Sequence, residues 1–124
     1  MPESKPFVVE YYYKVKWGHQ EEFLSLFRKN HWPLLKKQMD TGRIVLLDVV
    51  KARYHEPEAV RWDYRVTIGY KDSAASLTGD SKELIKQLYP DQATFKQEEQ
   101  RRFQILDAHW DLPIAPVDLQ EQPE

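Results

Sequence analysis

Residues 61–70 read RWDYRVTIGY, and their side chains alternate between polar types and large apolar or aromatic types. The large side chains share one face: Trp62, Tyr64, Val66, Ile68 and Tyr70. The polar ones share the other: Arg61, Asp63, Arg65 and Thr67. A period of two is typical of a β-strand with one buried face. We therefore predict a strand here, with its aromatic face turned toward the core.

Two further segments also predict strands. Residues 7–16 (FVVEYYYKVK) are rich in β-branched and aromatic side chains, as strands are. Residues 43–54 (RIVLLDVVKARY) contain an apolar run that indicates burial on both faces. Only residues 55–60 separate this segment from the strand at 61–70, so we expect a hairpin between the two.

The helical patterns lie on either side of this hairpin. Residues 19–39 carry an apolar stripe that includes Phe23, Phe27 and Leu34, and Gly42 follows their end. Pro33 has no backbone N–H to donate to the carbonyl of Lys29, so we expect a kink or a break there.

The second half of the chain predicts two helices and a last extended segment. A short helix, capped by Asp80 or Ser81, runs to about Tyr89. A longer helix, capped by Asp91, runs to about Asp107 with the stripe Phe95, Phe103 and Leu106. Residues 109–119 then read as an extended segment that its prolines confine to a sheet edge or a tail.

The order strand, helix, strand, strand, helix, strand is that of an α+β, ferredoxin-like βαββαβ fold with a four-stranded antiparallel sheet. We predict one domain over residues 1–119 and a disordered tail at 120–124. Helices cover one face of such a sheet, whereas the second strand looks buried on both. We therefore expect a homodimer that packs sheet against sheet and forms a dimeric α/β barrel. Charges on the first and third strands, such as Glu10, Lys14 and Arg65, could pair as a ladder.

Composition excludes several functions. With 18 Lys and Arg against 20 Asp and Glu, the chain lacks the basic excess of a nucleic-acid binder. No apolar run approaches the roughly 20 residues of a membrane span. The start, MPESKP, lacks the features of a secretory signal, and with no cysteine in the chain we expect a cytoplasmic location. Four scattered histidines have no metal-ligand spacing, and we expect no metal and no cofactor.

Three segments together resemble the dimeric alpha-beta barrel superfamily, which includes antibiotic-biosynthesis monooxygenases and haem-degrading proteins. They are VVEYYYKVKWG at 8–18, FLSLFRKNHWPLLKK at 23–37 and RWDYRVTIGYKD at 61–72. The resemblance covers about residues 7–119 and implies the fold and dimerisation, but no catalytic signature. Haem-degrading members use an Asn, a Trp and a His from separate elements. Here Asn30, His31 and Trp32 are neighbours on one helix, so that role is not transferred.

Two polar residues fall on apolar helix faces and are the candidate catalytic pair. His31 lies between Phe27 and Leu34, facing the helix–sheet cleft where superfamily members hold ligands, and it suits acid–base chemistry. Glu99 lies between Phe95 and Phe103 and needs a partner if it is buried. That partner is either His31, which would give an oriented base, or Arg102 in a structural salt bridge. A structural core histidine, bonded to a backbone carbonyl or a tyrosine, is the alternative for His31.

The remaining candidates are ligand-binding residues that would line a cleft for a flat, aromatic molecule. They are Tyr11, Tyr13, Phe27, Asn30, Trp62, Tyr64, Arg102 and Phe103. We predict a dimer that binds a small aromatic or apolar molecule between sheet and helices. Two alternatives stay open: a non-catalytic structural or interaction dimer with a filled core, and a cofactor-independent monooxygenase or isomerase with His31 as its base.

Overall fold

A computed structural model of the chain describes residues 5–120. Residues 121–124 of the predicted tail lie outside the described residues. The elements follow in chain order: β1 (Phe7–Val15), α1 (Gln20–Asn30), α2 (Trp32–Asp40), β2 (Ile44–Lys51), β3 (Tyr64–Tyr70), α3 (Ser73–Leu77), α4 (Lys82–Leu88), α5 (Gln92–Gln104) and β4 (Leu106–Ile114).

The four strands form one antiparallel sheet in the order β2-β3-β1-β4. The predicted β2–β3 hairpin is confirmed, and β1 and β3 are the central neighbours, with Val9 opposite Ile68 and Tyr13 opposite Tyr64. This is the predicted ferredoxin-like α+β fold.

The helices pack on one face of the sheet and enclose the core there. Phe23 of α1 is its centre, because its ring contacts Tyr13 of β1 at 5.1 Å and Tyr64 of β3 at 5.6 Å between centroids. The face away from the helices, called the open face below, carries Glu10, Tyr12 and the residues opposite them on β3 and β4.

The predicted first helix breaks at His31 rather than kinking. Pro33 lies in the first turn of α2, where its missing N–H leaves no intrahelical bond unmade. The His31 N–H still donates to the Phe27 carbonyl at 2.9 Å, and the His31 carbonyl accepts from the Leu35 N–H at 3.1 Å. His31 is therefore a joint between two short helices.

The second half of the chain differs more from the prediction. Ser81 and Asp91 cap α4 and α5 as expected, but α3 was not predicted; its cap is Asp72, which accepts from the Ala75 N–H at 2.8 Å. The last helix ends at Gln104 and β4 begins at Leu106, because pairing with β1 starts where Val15 faces Leu106. Sheet pairing thus outweighs helix propensity over these residues.

The predicted apolar stripe of α5 is wrong at its centre. Phe103 is 50 % exposed, whereas the neighbouring Arg102 is only 3 % exposed. The helix packs against α1 through charged pairs, Glu22 with Arg101 at 2.7 Å and Lys29 with Glu98 at 2.9 Å. Because that contact is polar, the spacing of apolar residues could not predict which face of α5 is buried.

Burial of the second strand on both faces is also wrong for the single chain. β2 lies at a sheet edge with β3 as its one neighbour, and Val45, Leu46 and Val49 are 42–52 % exposed. Only its first residue, Ile44, is fully buried.

The expected charge ladder forms in part. Glu10 and Arg65 pair on the open face at 3.6 Å, whereas Lys14 reaches Glu58 in the β2–β3 loop at 3.1 Å. Asp63 is not part of the ladder, because β3 begins one residue later. Its carboxylate accepts from the Val15 N–H at 2.7 Å and from the buried Arg61 at 2.7 Å, which ties the loop to the end of β1.

Candidate functional site

A cavity of about 270 Å³ lies between the helices and the sheet and is open to solvent. It begins at the α1–α2 joint and extends over the helix-facing side of β1 and β3 to β4. Its lining residues are Tyr11, Tyr13, His31, Leu35, Gln38, Arg43, Val66, Ile68, Tyr70, Thr78, Gly79, Asp80, Arg102, Phe103, His109 and Asp111. The volume is at the lower end of small-molecule sites, which are roughly 300–1,000 Å³.

His31 reaches this cavity from the joint, and its ring lies edge-on against Phe27 with centroids 4.9 Å apart. Burial, together with the nearby charge of Arg102, lowers the pKa of His31 to about 4. The imidazole is therefore neutral at pH 7, with one donor and one acceptor nitrogen. Its ring forms no hydrogen bond with any of residues 5–120, so it is not the backbone-bonded core histidine of the alternative reading.

Glu99 is held by Arg102 and not by His31. The Arg102 Nε and Nη2 groups donate to the two Glu99 carboxylate oxygens at 3.2 and 2.9 Å. This fork satisfies both residues across one helical turn, as the structural salt-bridge alternative expected. The buried guanidinium faces the cavity, whereas Glu99 does not line it.

Three tyrosines supply the hydroxyl groups of the site. The Tyr11 and Tyr70 hydroxyls are 2.7 Å apart, and burial is the main cause that raises the pKa of Tyr11. One of the two therefore donates to the other, which leaves the second hydroxyl hydrogen free for another acceptor. Burial also raises the pKa of Tyr13, although the neighbouring Arg102 opposes that rise.

The opposite end of the cavity contains residues that the sequence did not single out. Arg43, just before β2, donates from Nε to the Ala75 carbonyl at 2.8 Å and from Nη2 to the Thr78 carbonyl. Its guanidinium lies over the Tyr70 ring, 5.5 Å from the centroid. The Gln38 amide donates to Asp80. Arg43 looked like a strand terminus and Asp80 like a helix cap, so neither gave a signal.

Four of the predicted ligand-binding residues do not line this cavity. Asn30 is buried and donates to Glu98 at 3.3 Å. Phe27 packs against the His31 ring. Tyr64 belongs to the core, and its hydroxyl donates to the Gln20 carbonyl at 3.1 Å. Trp62 contacts Tyr12 of the open face, centroids 5.5 Å apart, because the alternation of β3 does not extend to residue 62.

β4 closes the side of the cavity with His109 and Asp111, whose Nδ1 and Oδ1 atoms are 3.9 Å apart. The His109 ring lies parallel to that of Tyr13, with centroids 6.2 Å apart. Across residues 5–120 no group of three or more His, Cys, Asp or Glu side chains could hold a metal ion.

No protein-family model matches the chain, and no curated protein is similar to it in sequence. Solved structures do share its fold. A dimeric ferredoxin-like protein from an uncultured marine organism superposes with a TM-score of 0.62 at 7 % identity, over 96 % of both chains. A NIPSNAP family protein from Agrobacterium tumefaciens gives a TM-score of 0.60 at 15 % identity, over 96 % of this chain and 92 % of its own.

An antibiotic biosynthesis monooxygenase superposes with a TM-score of 0.52 at 12 % identity, over 90 % of this chain and 99 % of its own. These neighbours confirm the predicted ferredoxin-like α+β fold. At such low identity they carry no chemistry over to this chain. In the described part of the chain no helix has the length and apolar character to cross a membrane.

Proposed function

We propose that this protein is a homodimer that binds a small aromatic or apolar molecule in the cavity beside His31. The observation that carries the proposal is the cavity itself, because a core filled by its own side chains would leave no such space. Apolar walls from Leu35, Val66 and Ile68 alternate there with tyrosine rings and a few donors. Small-molecule sites typically combine these features.

Titration calorimetry of the full chain with one-ring and two-ring aromatic compounds tests the binding site. We expect saturable binding that Val66→Phe, which fills the cavity, weakens at least tenfold. Val45→Phe is the matched control, because Val45 is exposed on β2 and does not line the cavity. Equal loss in both variants, or binding unchanged by Val66→Phe, would contradict this site.

The open face of the sheet supports the homodimer. Its apolar side chains Leu46, Trp110, Leu112 and Ile114 are 38–46 % exposed in the single chain. A second sheet packed on this face would bury them, as in the sheet sandwiches of other proteins. One neighbour of similar fold is described as dimeric.

Analytical ultracentrifugation tests the dimer. Leu112→Arg introduces a charge on the open face, so we expect a dimer for the unmodified chain and a monomer for the variant. Leu77→Arg is the control, because Leu77 is 88 % exposed on α3, away from the sheet. An unmodified chain that sediments as a monomer at micromolar concentration would reject the dimer.

A cofactor-independent monooxygenase or isomerase is the second candidate, favoured by a neutral imidazole in a cavity lined by aromatic rings. A base with a pKa of about 4 is weak, since general bases work best with a pKa near the operating pH. It would suit only an acidic substrate, so binding without chemistry is the better proposal. Oxygen consumption with phenolic compounds that His31→Phe abolishes would favour the enzyme instead.

A cytoplasmic location is also part of our proposal.

A further inference from the structure

Two arginines line the cavity, and each bonds to protein acceptors through the same two guanidinium nitrogens, Nε and Nη2. Nε and Nη2 of Arg102 are bonded to Glu99, and Nε and Nη2 of Arg43 are bonded to the carbonyls of Ala75 and Thr78. Within residues 5–120, neither Nη1 group forms a hydrogen bond of normal geometry with a protein acceptor. The guanidinium of Arg102 does lie close enough to the Tyr13 hydroxyl to oppose the rise that burial causes in the pKa of Tyr13. Each arginine is thus fixed by protein atoms on one side and has an NH₂ group with hydrogen left for a further acceptor.

Arg102 is the stronger candidate of the two to hold a ligand. It is only 3 % exposed, and its guanidinium is oriented by Glu99, so little side-chain freedom remains to be lost on binding. A buried arginine with free donors prefers a planar anion, and a carboxylate accepts hydrogen bonds from guanidinium in the geometry that arginine offers. Neutral His31 and the Tyr11–Tyr70 pair add uncharged donors to the same cavity.

The acidic residues of the cavity limit where an anion can lie. Asp80 accepts a hydrogen bond from Gln38, and Asp111 lies 3.9 Å from the His109 ring without a hydrogen bond to it. An anion placed next to either would be repelled, whereas one beside Arg102 would have its charge matched. The ligand's charged group is therefore confined to the end of the cavity formed by α5.

The rest of the cavity determines the shape of the ligand. Its walls are the side chains of Leu35, Val66 and Ile68 together with tyrosine rings, which favour a flat apolar body. A volume of about 270 Å³ accommodates one or two rings. Larger polycyclic compounds would need a bigger site than this one.

We propose that the cavity selects one-ring and two-ring aromatic carboxylates, with Nη1 of Arg102 as the anchor of the carboxylate. This inference rests on the proposed binding function and specifies the chemical class of its ligand.

Titration calorimetry with matched acid and amide pairs tests the inference: benzoate with benzamide, and 2-naphthoate with 2-naphthamide. The two members of a pair share ring and shape and differ in charge. We expect the full chain to bind the carboxylates at least tenfold more tightly than the amides at pH 7. This comparison needs no variant, so it does not depend on any substitution being tolerated.

The double variant Arg102→Gln with Glu99→Gln removes both charges of the pair and keeps side chains that can bond to each other. We expect the double variant to lose the preference for the acid. Its affinity for the amide should stay within about twofold to threefold of the affinity of the unmodified chain. Arg101→Gln is the matched control, since Arg101 precedes Arg102 on α5 but pairs with Glu22 at the surface. Circular dichroism verifies the fold of each variant.

The outcomes separate this inference from the proposed function. Equal affinity for acid and amide would overturn the carboxylate inference and leave the binding function standing. No binding of either compound would overturn both. A double variant that keeps the full preference would overturn the assignment of Arg102. If that variant does not fold, the comparison of acid and amide on the unmodified chain still decides the ligand class.

Discussion

Both faces of the sheet carry tyrosine side chains, but the surroundings of those side chains differ. On the helix-facing side, Tyr11, Tyr13 and Tyr70 lie around a cavity that small molecules can enter. On the open face, Tyr12 stacks on Trp110 with centroids 5.3 Å apart, and apolar neighbours remain exposed. One face has room for a small ligand, whereas the other presents an area that suits a second sheet. The same alternating strands therefore supply a site and an interface.

The largest expected effect concerns the core behind the cavity. Phe23→Ala should lower the free energy of unfolding by about 4 kcal/mol, as expected for a fully buried phenylalanine. Urea denaturation measures this change. Trp110→Ala on the open face is the contrast: its loss should be much smaller in dilute protein and should grow with protein concentration if that face is an interface. If Phe23→Ala and Trp110→Ala lost the same free energy of unfolding at every protein concentration, the proposed difference between the two faces would be wrong.

Glu99→Ala should cost somewhat less, about 3 kcal/mol, because it leaves the guanidinium of Arg102 buried without its carboxylate. Replacing both residues, with Glu99→Leu and Arg102→Met, should recover most of that loss, since no uncompensated charge remains. Thermal or urea unfolding of the two variants measures the difference. A single variant as stable as the unmodified chain would show that Arg102 does not depend on Glu99.

His31 should make the stability depend on pH. Its pKa is about 4 in the folded chain and about 6.5 in the unfolded one, so the unfolded state takes up the proton first as the pH falls. The contribution is complete above pH 6.5 and is lost as the pH falls toward 4, by about 2 kcal/mol between pH 7.5 and pH 5.

Urea denaturation across that range, at constant protein concentration, tests the expectation. His31→Leu should flatten the dependence between pH 7 and pH 5. Carboxylates contribute below this window, because hydrogen bonds from Arg61 and Lys14 lower the pKa of Glu58 to about 2 from a usual value of 4.5. A slope that persists in His31→Leu would assign the effect to another group.

Sequence reasoning was accurate wherever side-chain alternation and chain order control the structure. The alternation at 61–70 gave β3 and its buried face from Tyr64 onward, and the position of Pro33 gave the break that puts His31 at a joint. It failed at α5, where Phe103, expected on the buried stripe, is half exposed. Helix rotation there depends on ion pairs with α1, and such contacts leave no periodic signal. Arg43 and Asp80 were missed because only tertiary packing brings them to the cavity.

The smallest expected effect compares two neighbouring tyrosines on opposite faces. Tyr11→Phe removes the 2.7 Å hydrogen bond between the Tyr11 and Tyr70 hydroxyls at the cavity wall. This loss should lower the free energy of unfolding by about 1 kcal/mol. Tyr12→Phe removes a bond to Glu10 of 3.2 Å on the open face and should cost less in dilute protein. Denaturation at low and high protein concentration distinguishes them, because only the Tyr12 effect should grow when the open face is covered. If the Tyr11 effect also varied with concentration, the cavity would have to lie closer to the interface than the single chain indicates.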